Sequence, residues 1–369
     1  MRILAVNYRD RLHPSAGGAE RHFHQIFSRL AANGHKVVLL TTAFEGCLGR
    51  EEVDGILVVR HGGDLTFQLT VAKFLPKLDA EFSFDVIYED LNKLPLFVPK
   101  LSKKPHLVQI HHLWRRSIFA EASFPVALGV YLFERMVPFF YSKSEFVVVS
   151  PSSARELEEL GIPRSRISVV YNGADGVPAG FKSQKKGDYF VWLSRVHRYK
   201  GIMTALGAFK IFAGKHPEVR LKIAGTGPLL PKLPKILKKL GLEGSVDIEG
   251  YVTAARKLEL LAGAKALLQT SEKEGWGLTV IEAAELGTAT IASAVPGLVD
   301  SVVDGVTGLL FPVRDAAACA ERMERLYADQ ELRERLEIAA RNHAVEFSWE
   351  RAARETEALL QRIAGGGNE

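Results

Sequence analysis

Two acidic side chains in the second half of the chain, Glu274 and Glu282, lie eight positions apart around a glycine-flanked turn. The apolar pattern after Gly277 predicts that this turn opens a helix. At a rise of about 1.5 Å per helical residue, the two carboxylates would lie on the order of 10 Å apart, comparable to the distance between the sugar and the ribose of a nucleotide sugar. The backbone N–H groups of Gly277, Leu278 and Thr279 would bind the intervening phosphates, because the amino end of a helix favours anions.

Two basic side chains, Arg195 and Lys200, lie five positions apart in a loop that follows a predicted strand at residues 188–193. Ligands usually bind at the carboxyl ends of the strands of a parallel sheet. Arginine offers a planar fork for phosphate oxygens and lysine a point charge, so the pair fits a diphosphate. A solvated basic loop is the alternative interpretation of the same residues.

Gly17 and Gly18 lie between the first predicted strand and the first predicted helix. Without β-carbons, their backbone N–H groups can approach an anionic ligand at the helix end, although a loop that needs positive φ angles would explain them equally well. Neither this loop nor residues 225–228 contain G-x-G-x-x-G, so the nicotinamide dinucleotide fingerprint is missing from both places.

His111 and His112 end a predicted strand at residues 106–111, again at the ligand side of a parallel sheet. Successive side chains of a strand point to opposite faces, so at most one of the two histidines would face a ligand if the strand continues. A structural role is the alternative interpretation for either ring.

Each of these residues lies near the end of a predicted strand or near the start of a predicted helix, and such strands and helices alternate in both halves of the chain. Such an alternation predicts an α/β protein with doubly wound, parallel sheets. In the first half, the predicted strands are residues 2–8, 36–42, 55–60, 84–89, 106–111, 145–150 and 167–171, with one helix between the loop 11–18 and Gly34 and further helices at 65–80, 124–142 and 154–160. In the second half, the predicted strands are 188–193, 219–224, 245–249, 265–269 and 288–292, with helices at 201–215, 229–240, 255–262, 278–286 and 315–328.

The composition of residues 173–187, rich in glycine, lysine and turn formers, predicts a linker between two domains. The predicted domains are residues 1–172 and residues 188–347. A helical pattern at residues 348–364 is expected to pack back on the first domain. Two α/β halves joined by a flexible hinge would enclose a central cleft.

The overall composition argues against several classes of function. The net charge of +5 is shared almost equally between the two halves, without the basic clustering typical of nucleic-acid binding. Cys47 and Cys319 lie 272 positions apart without metal-ligand spacing, which argues against a zinc site and a disulfide scaffold and predicts a reducing, cytoplasmic location. No segment is apolar for long enough to predict a signal peptide or a transmembrane helix.

Taken together, these motifs resemble the retaining, nucleotide-sugar-dependent glycosyltransferases of family four. The resemblance covers nearly the whole chain and implies the GT-B fold, in which two Rossmann-like domains face a central cleft. It also implies that residues 1–172 form the acceptor side and residues 188–347 the nucleotide-sugar side. The motifs that carry it are residues 17–20, 34–37, 149–153, 170–175, Arg195 with Lys200 and Gly201, 224–228, the Glu274 and Glu282 pair, and 304–310.

The resemblance implies a role for each donor-side residue. Arg195 and Lys200 would hold the donor diphosphate, with the glycine loop at residues 17–18 nearby. Glu282 would accept hydrogen bonds from the ribose hydroxyls, and Glu274 would contact the hydroxyls of the donor sugar. No cofactor is expected beyond the nucleotide sugar itself, and the absence of any Asp-x-Asp in the chain predicts a metal-independent reaction.

His111 matches a histidine that the family places near the transferred sugar, so we expect His111 and Glu274 to be catalytic. The acceptor is expected on the amino-terminal side, near Glu89, Asp90, Asn92 and His112. The predicted reaction moves a hexosyl group to a hydroxyl of a glycan, lipid-linked or small-molecule acceptor and retains the anomeric configuration. A GT-B nucleotide-sugar epimerase and a non-catalytic nucleotide-sugar-binding subunit are the alternatives, and the base and sugar of the donor stay open.

Aromatic and basic residues cluster between positions 100 and 141, and they have two interpretations. One is a surface that meets the inner face of an anionic membrane through cations and aromatic rings. The other is a core helix packed on the sheet, beside a solvated turn. The residues concerned are Lys100, Lys103, Lys104, Trp114, Arg115, Arg116, Phe119, Phe124, Phe139, Phe140 and Tyr141.

Overall fold

The structure, a computed structural model, describes residues 1–92, 94–181 and 185–366 of the chain. It divides into two compact units: unit 1 comprises Met1–Gly173 with Trp349–Glu369, and unit 2 comprises Ala174–Ser348. Each unit is built on one largely parallel sheet with helical connections, which confirms the α/β prediction. Of the predicted linker at residues 173–187, positions 182–184 lie outside the described residues.

The sheet of unit 1 has eight strands in the order β3-β4-β2-β1-β5-β6-β7-β8. All neighbours are parallel except β3, which runs antiparallel to β4. The chain moves outward from β1 in one direction and then from β5 in the other, so the topological switch point lies between these two central strands. The strands are β1 Arg2–Val6, β2 Lys36–Thr41, β3 Arg50–Val53, β4 Ile56–Arg60, β5 Val86–Asp90, β6 His106–Ile110, β7 Glu145–Val148 and β8 Ile167–Val169.

The helices of unit 1 include one that comes from the far end of the sequence. They are α1 Gly18–Ala32, α2 Phe67–Phe82, α3 Val98–Leu101, α4 Phe124–Phe140, α5 Pro151–Leu160 and α13 Trp349–Gly365. Helix α13 packs on α1, where Glu350 binds Arg29 at 2.7 Å and Glu357 binds His35 at 2.8 Å. The apolar face expected for α1 is buried, with Phe23, Ile26, Phe27 and Leu30 inside.

Helix α4 differs from a core helix, so that alternative is wrong for residues 124–140, whereas Tyr141 after the helix is fully buried. Only Ala127, Glu134 and Val137 of this helix are buried. Its apolar side chains point largely outward because the buried stripe is narrow. In the part of the chain that the structure describes, no helix combines the length and the apolar character needed to cross a membrane.

The sheet of unit 2 has six parallel strands in the order β11-β10-β9-β12-β13-β14. Its switch point lies between β9 and β12. The strands are β9 Tyr189–Leu193, β10 Arg220–Ala224, β11 Val246–Gly250, β12 Leu267–Gln269, β13 Thr290–Ser293 and β14 Gly308–Phe311. The helices are α6 Ile202–Ala213, α7 Leu233–Leu240, α8 Ala254–Gly263, α9 Leu278–Glu285, α10 Leu298–Ser301, α11 Ala316–Ala328 and α12 Gln330–Ala344.

The start of α5 corrects the predicted helix at 154–160. The helix begins three residues earlier, at Pro151, whose fixed φ suits the first helical position. Ser150 is the cap, and its side chain accepts a hydrogen bond from the backbone N–H of Ser153.

Candidate active site

In unit 1, polar side chains gather at the carboxyl ends of the three central strands. Asn7 follows β1, Asp90 ends β5 and His111 follows β6. Asp90 Oδ2 lies 3.2 Å from His111 Nε2 and accepts a hydrogen bond of 3.2 Å from Asn7 Nδ2. Asn92 donates in turn to Asn7 Oδ1 at 2.9 Å. The structure therefore brings three of the predicted residues together beside the switch point.

A second histidine completes this group. His22, on the buried face of α1, packs edge-on against the ring of His111 with centroids 4.8 Å apart. Its Nδ1 lies 2.6 Å from the Oδ1 of Asn172, which follows β8. His22 is 1% exposed, and burial lowers its pKa to about 3, so the ring is neutral at ordinary pH.

His111 has the opposite protonation behaviour. Burial alone would lower its pKa, but the negative charge and hydrogen bond of Asp90, together with the charge of Glu20, outweigh burial and raise it. A neutral His22 beside His111 avoids charge repulsion between the two rings. The contact with Asp90 favours the protonated form of His111 and orients its ring at the end of β6.

Three members of this group had no predicted role: Asn7, His22 and Asn172, although Asn172 lies in the motif at residues 170–175. Asn7 had a usable signal, because it follows the first strand at the ligand side of the sheet. His22 and Asn172 are 150 positions apart, and nothing local in the sequence pairs them.

Glu89 is placed differently from its neighbour Asp90. Its carboxylate is fully buried and accepts hydrogen bonds from the Tyr141 hydroxyl at 2.6 Å and the Leu96 backbone N–H at 3.0 Å. Its other oxygen lies 3.2 Å from His106 Nε2. These contacts give Glu89 a structural role inside unit 1, unlike the acceptor-side role expected for it.

His112 lies apart from the group around His111. Its ring packs against Trp114, with centroids 5.2 Å apart. The two adjacent histidines thus have different neighbours, as the alternation of a strand end requires.

The glycine loop is held by a buried ion pair. Gly17 caps α1, and its backbone N–H donates to Glu20 Oε2 at 2.7 Å. Earlier in the loop, Asp10 binds the fully buried guanidinium of Arg60 at 2.6 Å and accepts from the Leu12 backbone N–H at 2.8 Å. The loop before α1 is therefore tied to β4 at one end and capped at the other.

In unit 2, Lys200 and Glu274 form a direct ion pair. Lys200 Nζ lies 2.5 Å from Glu274 Oε1, which also accepts from Gln269 Nε2 at 2.9 Å. Both charged side chains are mostly buried. Arg195 is exposed and donates to the Tyr199 hydroxyl at 2.8 Å. The two predicted cations therefore lie on one loop after β9, and one of them already contacts a predicted carboxylate.

Glu282 lies on α9 and pairs with Lys257, which was not among the predicted site residues. Lys257 Nζ, from α8, lies 2.7 Å from Glu282 Oε1. Glu282 is 6% exposed, so its carboxylate needs such a partner. Helix α9 begins at Leu278, with Gly277 as its cap, so the N–H groups of Gly277, Leu278 and Thr279 lie at a helix amino end as expected.

Two glycines allow the loops of unit 2 to approach each other closely. Gly201 has a φ of 70°, and a β-carbon there would lie 1.8 Å from the carbonyl oxygen of Thr270. Gly225 has a φ of 132°, and a β-carbon would lie 1.9 Å from the carbonyl oxygen of Ser194. Any other residue would push apart the loops that carry Arg195 and Lys200.

Among the described residues, no cluster of three or more His, Cys, Asp or Glu side chains could hold a metal ion.

Two family models match the chain in succession and together span most of it. The model described as "Glycosyltransferase Family 4" matches residues 16–176, and the model described as "Glycosyl transferases group 1" matches residues 178–343. The chain belongs to glycosyltransferase family four.

Proteins similar to this family-four glycosyltransferase include enzymes with different products. The glycogen synthase of Mycobacterium tuberculosis is 26% identical over 96% of this chain and 93% of its own length. The sucrose-phosphate synthase from Thermosynechococcus elongatus has a TM-score of 0.82 at 21% identity, covering 99% of this chain and 100% of that one. The Anabaena protein HepE, solved in complex with UDP-glucose, has a TM-score of 0.78 at 17% identity, covering 98% of this chain and 100% of that one.

These structural similarities confirm the predicted GT-B fold for the glycosyltransferase. At such identities they concern the fold alone, so the roles of individual side chains depend on their own contacts. Those contacts form two groups: the histidine and Asp90 group in unit 1, and the group of cations and carboxylates in unit 2.

Proposed function

We propose that this glycosyltransferase moves a hexosyl group from a nucleoside diphosphate sugar to an acceptor hydroxyl, with retention of the anomeric configuration. The observation that carries the proposal is the charged group of unit 2. Arg195 and Lys200 lie on one loop, and Lys200 contacts Glu274. Glu282 lies on α9, the helix that begins shortly after Glu274. Cations for phosphates and carboxylates for hydroxyls are what a nucleotide sugar requires.

Because Lys200 is paired with Glu274, a bound donor would change the contacts of both side chains. A diphosphate would draw the ammonium of Lys200 toward itself, because its charge exceeds that of one carboxylate. Glu274 would then be free to accept hydrogen bonds from hydroxyls of the donor sugar while Gln269 keeps hold of it. The same cations and the amino end of α9 would neutralise the diphosphate without a metal ion. The binding of UDP-glucose by HepE supports a nucleoside diphosphate sugar as the donor class.

The histidine group of unit 1 would serve the transferred sugar and the acceptor. As a bond to the diphosphate breaks with retention, charge develops at the sugar, and fixed dipoles and charges in the site stabilise it. His111, oriented by Asp90, would supply such a group. Two buried oxygen atoms, Asp90 Oδ1 and Asn92 Oδ1, have no hydrogen-bond partner among the described residues, which suits hydroxyl donors of an acceptor. The acceptor itself would be a glycan, a lipid-linked sugar or a small molecule.

The proposal is tested with Arg195→Ala and a panel of UDP-, GDP- and ADP-sugars. Truncating a charge-assisted contact to a bound phosphate costs roughly 2 to 5 kcal/mol, so affinity for the preferred donor should fall between about thirtyfold and several thousandfold. Isothermal titration calorimetry measures the affinity, and release of nucleoside diphosphate measures turnover. Arg198→Ala is the matched control, because Arg198 is an exposed cation on the same loop.

The outcomes separate the rival functions. Loss of donor affinity in Arg195→Ala, with little change in Arg198→Ala, supports the phosphate role. Equal affinities in both variants would contradict it. Tight donor binding without turnover on any acceptor would favour a non-catalytic binding subunit, and formation of an epimeric nucleotide sugar would favour an epimerase.

A further inference from the structure

Helix α4 carries a nearly continuous apolar surface. Phe139 is 71% exposed, Phe124 is 68% exposed and Leu132 is 49% exposed. Every residue of α4 except glutamate and arginine at positions 134 and 135 is uncharged, and Arg135 is the one exposed charge on this fully described helix. Large apolar patches on a protein surface mark binding sites for apolar partners. The large exposed apolar side chains of α4 are Phe124, Val126, Leu128, Leu132, Phe133, Met136 and Phe139.

The opposite side of α4 is already anchored to unit 1. The buried carboxylate of Glu134 accepts hydrogen bonds from the backbone N–H groups of Trp114 at 2.6 Å and Arg115 at 2.7 Å. Ala127 and Val137 lie on the same buried stripe, seven residues before and three residues after Glu134. The helix is therefore fixed with its apolar face outward. Its buried residues hold it on unit 1, and the exposed apolar residues take no part in that contact.

Basic side chains border this apolar face. Lys100 Nζ lies 5.9 Å from the centre of the Phe139 ring, and Arg135 Cζ lies 5.8 Å from that of Tyr131. Residues 98–143 contain seven basic and two acidic residues, so this segment alone accounts for a net charge of +5, equal to that of the whole chain. One of the two acidic residues, Glu134, is buried, which leaves the surface more positive still.

We propose that the exposed face of α4 docks on an anionic lipid bilayer. The helix would lie in the plane of the interface, with its apolar side chains among the acyl chains and Lys100, Arg116 and Arg135 among the lipid phosphates. A second copy of the chain fits the surface less well. A two-fold symmetric contact would place the same basic border on both sides and bring like charges together, whereas anionic lipids neutralise that border.

Arg115 is excluded from the docking surface, although its position in the sequence resembles that of Arg116. Its guanidinium binds Glu159 at 2.7 Å within unit 1. Arg116, by contrast, is exposed. Two adjacent arginines that have the same sequence signal therefore differ in the structure, and only Arg116 is available to the docking surface.

Sedimentation with vesicles tests the docking surface in the absence of any nucleotide sugar. The protein should bind vesicles of phosphatidylcholine mixed with phosphatidylglycerol at low salt, bind pure phosphatidylcholine vesicles less, and dissociate as salt rises. Because no substrate is present, failure to bind would overturn the docking proposal and leave the proposed transfer reaction untouched.

Two variants separate the apolar and the charged contributions. Phe124→Ser combined with Phe139→Ser should abolish vesicle binding, whereas Ile338→Ser combined with Val345→Ser, exposed apolar residues of unit 2, should not. Thermal unfolding of each variant checks that the fold is retained. If both pairs affect binding equally, the face of α4 is not the docking surface.

The charge variant Lys100→Ser with Arg116→Ser should weaken binding about fivefold for each charge removed, or about twenty-fivefold in all. The matched control is Lys238→Ser with Lys239→Ser, exposed cations on α7. Equal weakening in the two pairs would show that net charge alone acts, which contradicts a specific surface.

Insertion is measured directly with Phe139→Trp and lipids brominated in the acyl chains. The added tryptophan should be quenched by the brominated chains, which requires contact with the bilayer interior. An absence of quenching in vesicle-bound protein would overturn the proposed orientation. A wild-type dimer that becomes a monomer in Phe124→Ser with Phe139→Ser, and that binds no vesicles, would assign the face to a second copy instead.

Discussion

Lowering the pH should destabilise unit 1 through His22. The ring is buried and neutral in the folded protein, where its pKa is lowered from an ordinary value of 6.5 to about 3. The unfolded chain binds a proton at this ring below about pH 6.5, so acid favours unfolding. The stability contributed by His22 is therefore present above pH 6.5 and lost as the pH falls toward 3. Between pH 7 and pH 5, the loss is about 2 kcal/mol.

Equilibrium urea denaturation of the wild type and of His22→Gln, each at pH 7 and pH 5, isolates this contribution. Glutamine does not titrate, and its amide can still donate to Asn172. The free energy of unfolding should fall between the two pH values by about 2 kcal/mol more in the wild type than in the variant. His111, whose raised pKa acts in the opposite direction, is present in both proteins and cancels to first order. His13→Gln, in the loop before α1, is the control. An equal pH dependence of the wild type and His22→Gln would refute a buried, neutral His22.

Asp90→Asn should move the alkaline limb of the pH–rate profile to lower pH, because the charge and hydrogen bond of Asp90 raise the pKa of His111 against the effect of burial. An unchanged limb in initial rates would show that protonated His111 is not required. Lys257→Met should raise the donor KM and lower the free energy of unfolding by about 1.5 to 3 kcal/mol, because the ammonium lost lies 2.7 Å from the Glu282 carboxylate. A donor KM of Lys257→Met equal to that of the wild type would contradict a role of Glu282 in binding the donor. EDTA should leave initial rates unchanged, and activity lost to EDTA and restored by Mg²⁺ would contradict a metal-independent reaction.

The sequence pattern predicted the central strands of both sheets because most residues of each are apolar. It missed β3, whose residues are mostly charged. A signal was nevertheless present: Asp54 and Gly55 form a two-residue turn, with φ angles of 49° and 79°, between β3 and β4. Asp-Gly favours such a hairpin turn, so the antiparallel edge strand could have been predicted.

Helix α12 and strand β14 were also missed. The buried positions of α12 include Leu332, Leu336 and Ala340, which have helical spacing but are separated by many charged residues. Asp329 caps it by accepting from the Leu332 backbone N–H at 2.9 Å. Strand β14 has only four residues and begins with a glycine. Short or strongly charged elements give a weak hydrophobic pattern, and their stability comes from tertiary contacts.

The positions of strand ends in the sequence predict some residues of the candidate site but not others. Parallel strands share one ligand edge, so Asp90 and His111 could be placed at that edge from the sequence. Which of two adjacent acids points toward His111 depends on the exact pleat of β5, and the structure gives that position to Asp90 rather than Glu89. Partners from other elements, such as Lys257 for Glu282, are fixed by packing and leave no local pattern.

The return of α13 to unit 1 has a consequence for synthesis on the ribosome. Unit 2 is one uninterrupted stretch, Ala174–Ser348, and its whole length emerges before α13 does. Until then, α1 lacks the contacts of Arg29 with Glu350 and of His35 with Glu357, and His22 lacks the nearby ring of Trp349. The first unit to begin is thus the last to be completed. A fragment that ends at Gly173 would leave one side of α1 uncovered, whereas one in which residue 173 is joined directly to 349 would contain every element of unit 1.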